Sequence, residues 1–317
     1  MISKFPRKEI YVCTLKNPLG KGKVLAVEDR KIKLDNSFKD YSERKWEAEN
    51  KGWTNSVTPS AVNVETKEDR LLVHCGLTEY KYLLGLIKLS AERGWVDSVT
   101  SIQGLNTEIM PLTTDGIFVL SRRAESTTQH GSGFYDIPSA GHNAQMWLNK
   151  VPKEKSYLVS GLLDMIGFPK WNLMRNLGLV EKEIGEVFYT GFSKGFEISL
   201  DTQFNGYTQI GLSANELHDK AGNENNLFYR IEDIIEILSS INNDGKIKKI
   251  KGDIYGRFPE PTENGFELVD DCIGTLLSNL KHLRGEEKYL EALEILKNKG
   301  YLIKEISEGI VNLNDLK

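Results

Sequence analysis

The sequence lacks most of the features that would assign it to a class at sight. No run approaches 18 consecutive apolar residues, which excludes a membrane-spanning helix. The opening residues Met1 to Lys8 hold no apolar segment of the kind a secretory signal needs, so a cytoplasmic protein is expected. Cysteine is scarce: Cys13, Cys75 and Cys272 are widely spaced, with no C-x-x-C pair, and neither a disulfide framework nor a zinc ribbon is expected. The five histidines, His74, His130, His142, His218 and His282, have no zinc-ligand spacing and no H-E-x-x-H. A G-x-S-x-G elbow and a G-x-x-x-x-G-K-[ST] loop are both missing. Charge of one sign is missing too. Lys+Arg 41 against Asp+Glu 45 leaves a net −4, which excludes a nucleic-acid binder working through bulk basic charge.

What is present is an ordinary globular balance, 39% hydrophobic and 27% charged, over 317 residues. That length suffices for one large domain or two modest ones. Alternating apolar residues predict strands over 9–15 and 23–27, joined as a hairpin through the Pro18/Gly20/Gly22 turn. A helical tendency follows around 42–48, then a strand over 70–75 leading to a helix capped by Thr78. His74, beside Cys75 on that strand, reads as a core residue. A second block holds a strand over 116–123, a polar loop over 125–133, and helical signal over 156–177 broken at Pro169. Strands over 185–192 and 202–210 follow, with a helix starting at Ser213 and a strand-to-helix step over 226–239. The tail predicts helices over 269–283 and 286–299, the latter stopped by Gly300, and then a hairpin over 301–313. Strands and helices mixed without βαβ alternation point to α+β, arranged as an α/β/α sandwich.

Two stretches carry a resemblance: Thr114-Asp115-Gly116-Ile117-Phe118-Val119-Leu120-Ser121-Arg122-Arg123, and, after the loop, Phe134-Tyr135-Asp136-Ile137-Pro138-Ser139-Ala140-Gly141-His142. Their order resembles the Nudix hydrolase superfamily, in which a strand ending in arginine leads through a variable loop into a W-x-x-P-G-G-H type turn. Ser139 and Ala140 replace the middle glycines of that turn. Upstream, Leu72-Val73-His74-Cys75-Gly76-Leu77-Thr78-Glu79-Tyr80 is similar to an element of the atypical branch acting on nucleoside diphosphate sugars. The resemblance spans roughly residues 40–284 and implies a mixed sheet between helices and a site for a nucleoside diphosphate joined to another group.

The family's chemistry resides in a box whose helical glutamates hold Mg²⁺ or Mn²⁺, hard cations that neutralise a diphosphate and activate water. Aligning the end of that box on Gly178-Leu179 places Trp171 and Asn172 at its R-E pair, and Arg175 and Asn176 at its E-E pair. Between Gly141 and Val180 the only acidic residues are Glu154 and Asp164. A cation at Arg175 repels a metal ion by about 4 kcal/mol at 4 Å and intermediate dielectric. The resemblance therefore implies a degenerate box without metal-dependent pyrophosphatase activity: a binding or sensing pseudoenzyme, with no resident cofactor.

The alternatives are an active hydrolase of nucleoside diphosphate sugars, using Mg²⁺ or Mn²⁺ on carboxylates outside the box (Glu181, Glu183, Glu186 or Glu197), and a structural interaction module. The candidate ligand-binding residues are Arg122, Arg123, Tyr135, Gly141, His142 and Arg175. Guanidinium matches phosphate geometry, so Arg175 could stand in for the lost metals. Strand alternation allows only one of Arg122 and Arg123 to face the cleft. The plainer readings are a core ring for Tyr135, an incidental loop histidine for His142, a surface arginine for Arg175 and a solvated turn for Glu181 to Glu183. The expected partners are a nucleotide-type small molecule and a second copy or another protein, with no membrane. Residues 285–317 resemble the end of a winged helix, but five Lys against seven Asp+Glu there argue against nucleic acid. Three regions are expected: an accessory region over 1–97, a Nudix-like domain over 98–284 and a helix–hairpin over 285–317.

Overall fold

Apolar side chains on both faces of the same strands dictate a sheet covered on both sides. Residues Leu105–Leu112, LNTEIMPL, are buried throughout, and successive positions turn to opposite cores. The computed structural model describes residues 8–49, 55, 57–93, 102–123, 133–142, 158–159, 162–163, 165–195, 202–221, 224–241, 251–260 and 266–316. In chain order, the first part comprises β1 (Glu9–Leu19), β2 (Val24–Glu28), α1 (Asn36–Glu49), β3 (Val57–Lys67), β4 (Arg70–Glu79) and α2 (Tyr80–Arg93). The middle comprises β5 (Leu105–Leu112), β6 (Ile117–Arg122), β7 (Tyr135–Asp136), β8 (Gly141–His142), β9 (Leu158–Val159), β10 (Leu162–Leu163), α3 (Gly167–Leu177), β11 (Ile184–Gly195) and β12 (Thr202–Ile210). The last part comprises α4 (Ala214–Ala221), β13 (Asn226–Arg230), α5 (Ile234–Ser240), α6 (Asp270–Arg284), α7 (Glu286–Asn298), β14 (Leu302–Glu305) and β15 (Ile310–Asn312).

The strands form two sheets. The larger runs β13-β6-β5-β12-β11-β1-β14, with β7 on β6 and β8 on β5, and is mixed: β5/β12 and β1/β14 are parallel. The smaller runs β15-β3-β4-β2-β10-β9. One face of the larger sheet packs on α5, α6 and α7 through Met110, Phe118, Leu120, Tyr229, Leu276 and Leu277. Its other face meets α3 and α4 through Val119, Leu173, Leu217 and Phe228. The rest of that face meets the smaller sheet through Leu15, Ile109, Phe204, Val64 and Val73. The α/β/α arrangement is therefore present, with helices on both faces of a mixed sheet. Each fully buried leucine of these cores contributes about 1.5–3 kcal/mol. Among the described residues no helix is long and apolar enough to cross a membrane.

Several expectations need correction. β1 and β2 do not form a hairpin: β1 pairs with β11 and β14, β2 with β4 and β10, so the turn hands the chain from one sheet to the other. The C-terminal hairpin is split likewise, β14 lying parallel to β1 and β15 antiparallel to β3. Strand alternation alone does not disclose which sheet an edge joins. Thr78 does not cap α2; it pairs with Thr58 inside β4, and the Oδ1 of Asn55 accepts from the Lys81 N–H at 3.0 Å instead. His74 is half-buried, its Nδ1 2.7 Å from Asp29 Oδ2. Pro169 does not break α3. It lies in the first turn, where its missing N–H would have had no helical partner.

Candidate functional site

The turn Pro138–Ser139–Ala140 joins β7 to β8, and β8 pairs Gly141 with Thr107 and His142 with Asn106 on β5. Ser139 Oγ accepts from the Ile109 N–H at 2.5 Å, tying the turn to the centre of that strand. α3 then packs over it with two amides one helical turn apart. Asn172, buried, donates through Nδ2 to Ser139 O at 2.9 Å, and Asn176 Nδ2 donates to Pro138 O at 2.6 Å. These are two of the positions at which the resemblance expects carboxylates. A carboxylate cannot donate to a carbonyl oxygen, so the amides are required by the turn they hold. Gly178, in the left-handed conformation at φ 66, ends the helix.

Arg175 is exposed on this helix, its guanidinium 5.0 Å from the centre of the Trp171 ring and its Nε donating to Asn176 Oδ1 at 3.1 Å. Cation–ring stacking and that hydrogen bond fix its plane. The donor set of α3 does not fit a divalent cation: a guanidinium and two amides that spend their N–H groups on carbonyls supply no carboxylate oxygen.

The remaining expected residues are dispersed. Arg122 donates from Nε to Gly133 O at 3.4 Å and pairs with Glu260. Arg123 Nη1 lies 3.9 Å from Asp136 Oδ2. Tyr135 is enclosed in the core at 1% exposure, its ring 5.7 Å from that of Phe266 and its hydroxyl accepting from the Glu260 N–H. That placement leaves the Tyr135 ring packed in the core, away from the exposed position a ligand contact would need. Glu183 receives Lys220 Nζ on both oxygens at 2.7 Å and the Val180 N–H, contacts that hold its carboxyl below the usual range. Glu181 is exposed, and Glu186 accepts from the Lys21 N–H at 3.2 Å. Glu197 lies outside the described residues. Glu181, Glu183 and Glu186 do not converge on a shared cation position among the described residues.

Sequence reasoning missed a second set of residues, beneath α6. The helix carries Asp271, Thr275, Ser278 and Asn279 on one stripe, all buried and all facing the sheet. Thr275 Oγ1 bridges Glu108 Oε2 at 2.8 Å and Asn205 Oδ1 at 2.9 Å. Gln203 Nε2 donates to Glu108 Oε2 at 2.9 Å, and Asn205 Nδ2 reaches Ser193 and Ser278. Asn279 Nδ2 donates to Gly206 O at 2.8 Å. The helix approaches so closely that a Cβ on Gly274 would lie 2.1 Å from Ser193 Oγ. Burial and the neighbouring carboxylates Asp136 and Asp271 push the Glu108 carboxyl upward; burial does the same to Asp136, against the pull of Arg123. The three cysteines are free and buried, and burial pushes the Cys13 thiol up to about 12.

Comparison with protein-family models gives no match, and comparison with curated proteins gives none either.

Proposed function

We propose that this protein recognises a nucleoside diphosphate joined to a further group on a Nudix-like scaffold, and does so without metal-dependent cleavage of the anhydride. The α3 helix packed over the β7–β8 turn, on a mixed sheet whose β5 and β12 run parallel, supports the scaffold. The observation that carries the loss of chemistry is the pair of amide donors, Asn172 and Asn176, spent on the carbonyls of Ser139 and Pro138. Metal-assisted hydrolysis needs carboxylate oxygens on this face to position the cation and the attacking water. Here the same helical positions hold the turn closed.

In this reading Arg175 meets the diphosphate. Arg175 is an exposed residue stacked on Trp171, and a guanidinium carries its donors in the fork that phosphate oxygens fit. Arg122 and Arg123 are directed to Glu260 and Asp136 and serve the strand end instead. Calorimetric titration with ADP-ribose, UDP-sugars, NAD and dinucleoside polyphosphates in chelator-treated buffer tests this. Binding of at least one compound is expected, weakened tenfold or more in Arg175→Glu. Binding that is equally tight in that variant would overturn the role of Arg175, and absence of binding across the panel would overturn the reading.

A further inference from the structure

The buried set beneath α6 lies on the face of the sheet opposite α3, and it gathers several acidic groups in one place. Glu108 on β5, Asp136 on β7 and Cys272 in the first turn of α6 present a carboxylate oxygen, a second carboxylate oxygen and a sulfur, all within 4.8 Å of one another. Asp271 adds a further carboxylate to the field felt by Glu108 and Cys272. Arg123, the residue after β6, lies 3.9 Å from Asp136.

A second observation is independent of this acidity. Gln203, on β12, is 1% exposed, and its side-chain carbonyl Oε1 receives no hydrogen bond. Its Nε2 is spent on Glu108 Oε2, which sets the amide beside the cluster. Glu108 Oε1 likewise receives no donor. A buried carbonyl or carboxylate oxygen without a donor costs about 1–3 kcal/mol, more when charged. Neither oxygen has an N–H or hydroxyl donor, and Glu108 and Asp136 relieve their repulsion through a proton held between the two carboxyls, which a bound cation would displace.

We infer that Glu108, Asp136, Cys272 and Gln203 form a closed structural site for a borderline divalent cation of the Zn²⁺ class. The chemistry of the donors selects the class: a thiolate beside carboxylate and amide oxygens suits Zn²⁺ or Co²⁺, whereas Mg²⁺ and Ca²⁺ call for oxygen ligands throughout. Complete enclosure suits a structural ion, since a catalytic one keeps an open position. The ion would bind the first turn of α6 to β5, β7 and β12, the elements that also carry the turn held by α3. The site shares no residue with the diphosphate reading, and the two stand or fall separately.

The test is reconstitution of the full chain. Protein unfolded and refolded in the presence of Co²⁺ is expected to retain one ion per chain after gel filtration, with cobalt–thiolate charge-transfer absorption in the near ultraviolet. Cys272→Ser should abolish that absorption and Cys13→Ser should leave it intact, while circular dichroism reports whether each variant folds. Should Cys272→Ser fail to fold, Gln203→Leu supplies the second reading: its retained cobalt should fall at least tenfold in folded protein. Folded wild type that retains no cobalt or zinc, or a thiolate band that survives in Cys272→Ser, would overturn the inference. So would Gln203→Leu that holds the ion as tightly as wild type.

Discussion

The two faces of the larger sheet solve the same packing problem with opposite chemistry. Over α3 the contact is apolar, through Leu173 and Leu177, and two of its amides each satisfy one backbone carbonyl of the turn. Under α6 an apolar stripe runs beside a stripe of acids, hydroxyls and amides that bond to each other across the sheet. Polar groups on the first face serve the backbone and end there. Those on the second form a network, in which removal of one member strands another. On the face of α3 the polar atoms are committed to a turn, whereas the opposite face gathers buried acids that a bound group could use.

The sharpest way to break the comparison is Asn172→Asp. It sets a carboxylate against the Ser139 carbonyl in a buried position, and about 3–5 kcal/mol of stability should be lost at neutral pH. Denaturant unfolding measures this. The loss should shrink as pH falls, because the protonated acid can donate as the amide does. An unchanged midpoint would mean that α3 can accept carboxylates after all.

The next effect concerns Lys194, a cation carried into the core and 3% exposed, its Nζ donating to Leu313 O at 2.9 Å and Leu316 O at 3.1 Å. Burial pulls its pKa down to about 7, against about 10.4 in the unfolded chain. Between those values the unfolded chain binds the extra proton, so stability rises with pH. The wild type should gain on the order of 2–4 kcal/mol relative to Lys194→Met from about pH 7 to 10. Parallel pH profiles of the two proteins would contradict the shift.

Smaller again is Thr275→Val, which keeps shape and removes the bridge between Glu108 and Asn205. About 1–3 kcal/mol should be lost, since both partners stay buried. The smallest expected effect is Glu183→Gln. Its carboxyl serves Lys220 and a surface turn, so ligand binding should be unaffected and the melting temperature little changed. Loss of binding there would favour a catalytic carboxylate next to the turn.

Much of the element order is legible in the residues, because alternation and helical spacing report local burial. The helices over 269–283 and 286–299 and the strands over 185–192 and 202–210 appear within a few residues of their bounds. The Ser213 cap is present, with Glu216 accepting from the Ser213 N–H at 2.8 Å. Pairing is not legible, since Leu15 and Val24 are equally apolar whichever sheet they join. β5 is hidden because Asn106, Thr107 and Glu108 interrupt its apolar pattern, and that same interruption was the signal of the buried network. On α6 the apolar stripe of Cys272, Leu276, Leu277 and Leu280 draws attention away from Asp271, Thr275, Ser278 and Asn279, whose i, i+4, i+7, i+8 spacing is equally regular.

The proposed function is recognition of a diphosphate without its metal-dependent cleavage. Incubation of the full chain with ADP-ribose, NAD, UDP-sugars, dinucleoside polyphosphates and nucleotides, with Mg²⁺ or Mn²⁺, followed by chromatography, tests it most directly. Every compound is expected to emerge intact. Metal-dependent release of a monophosphate from any of them would contradict it and return the search to Glu181, Glu183, Glu186 and Glu197.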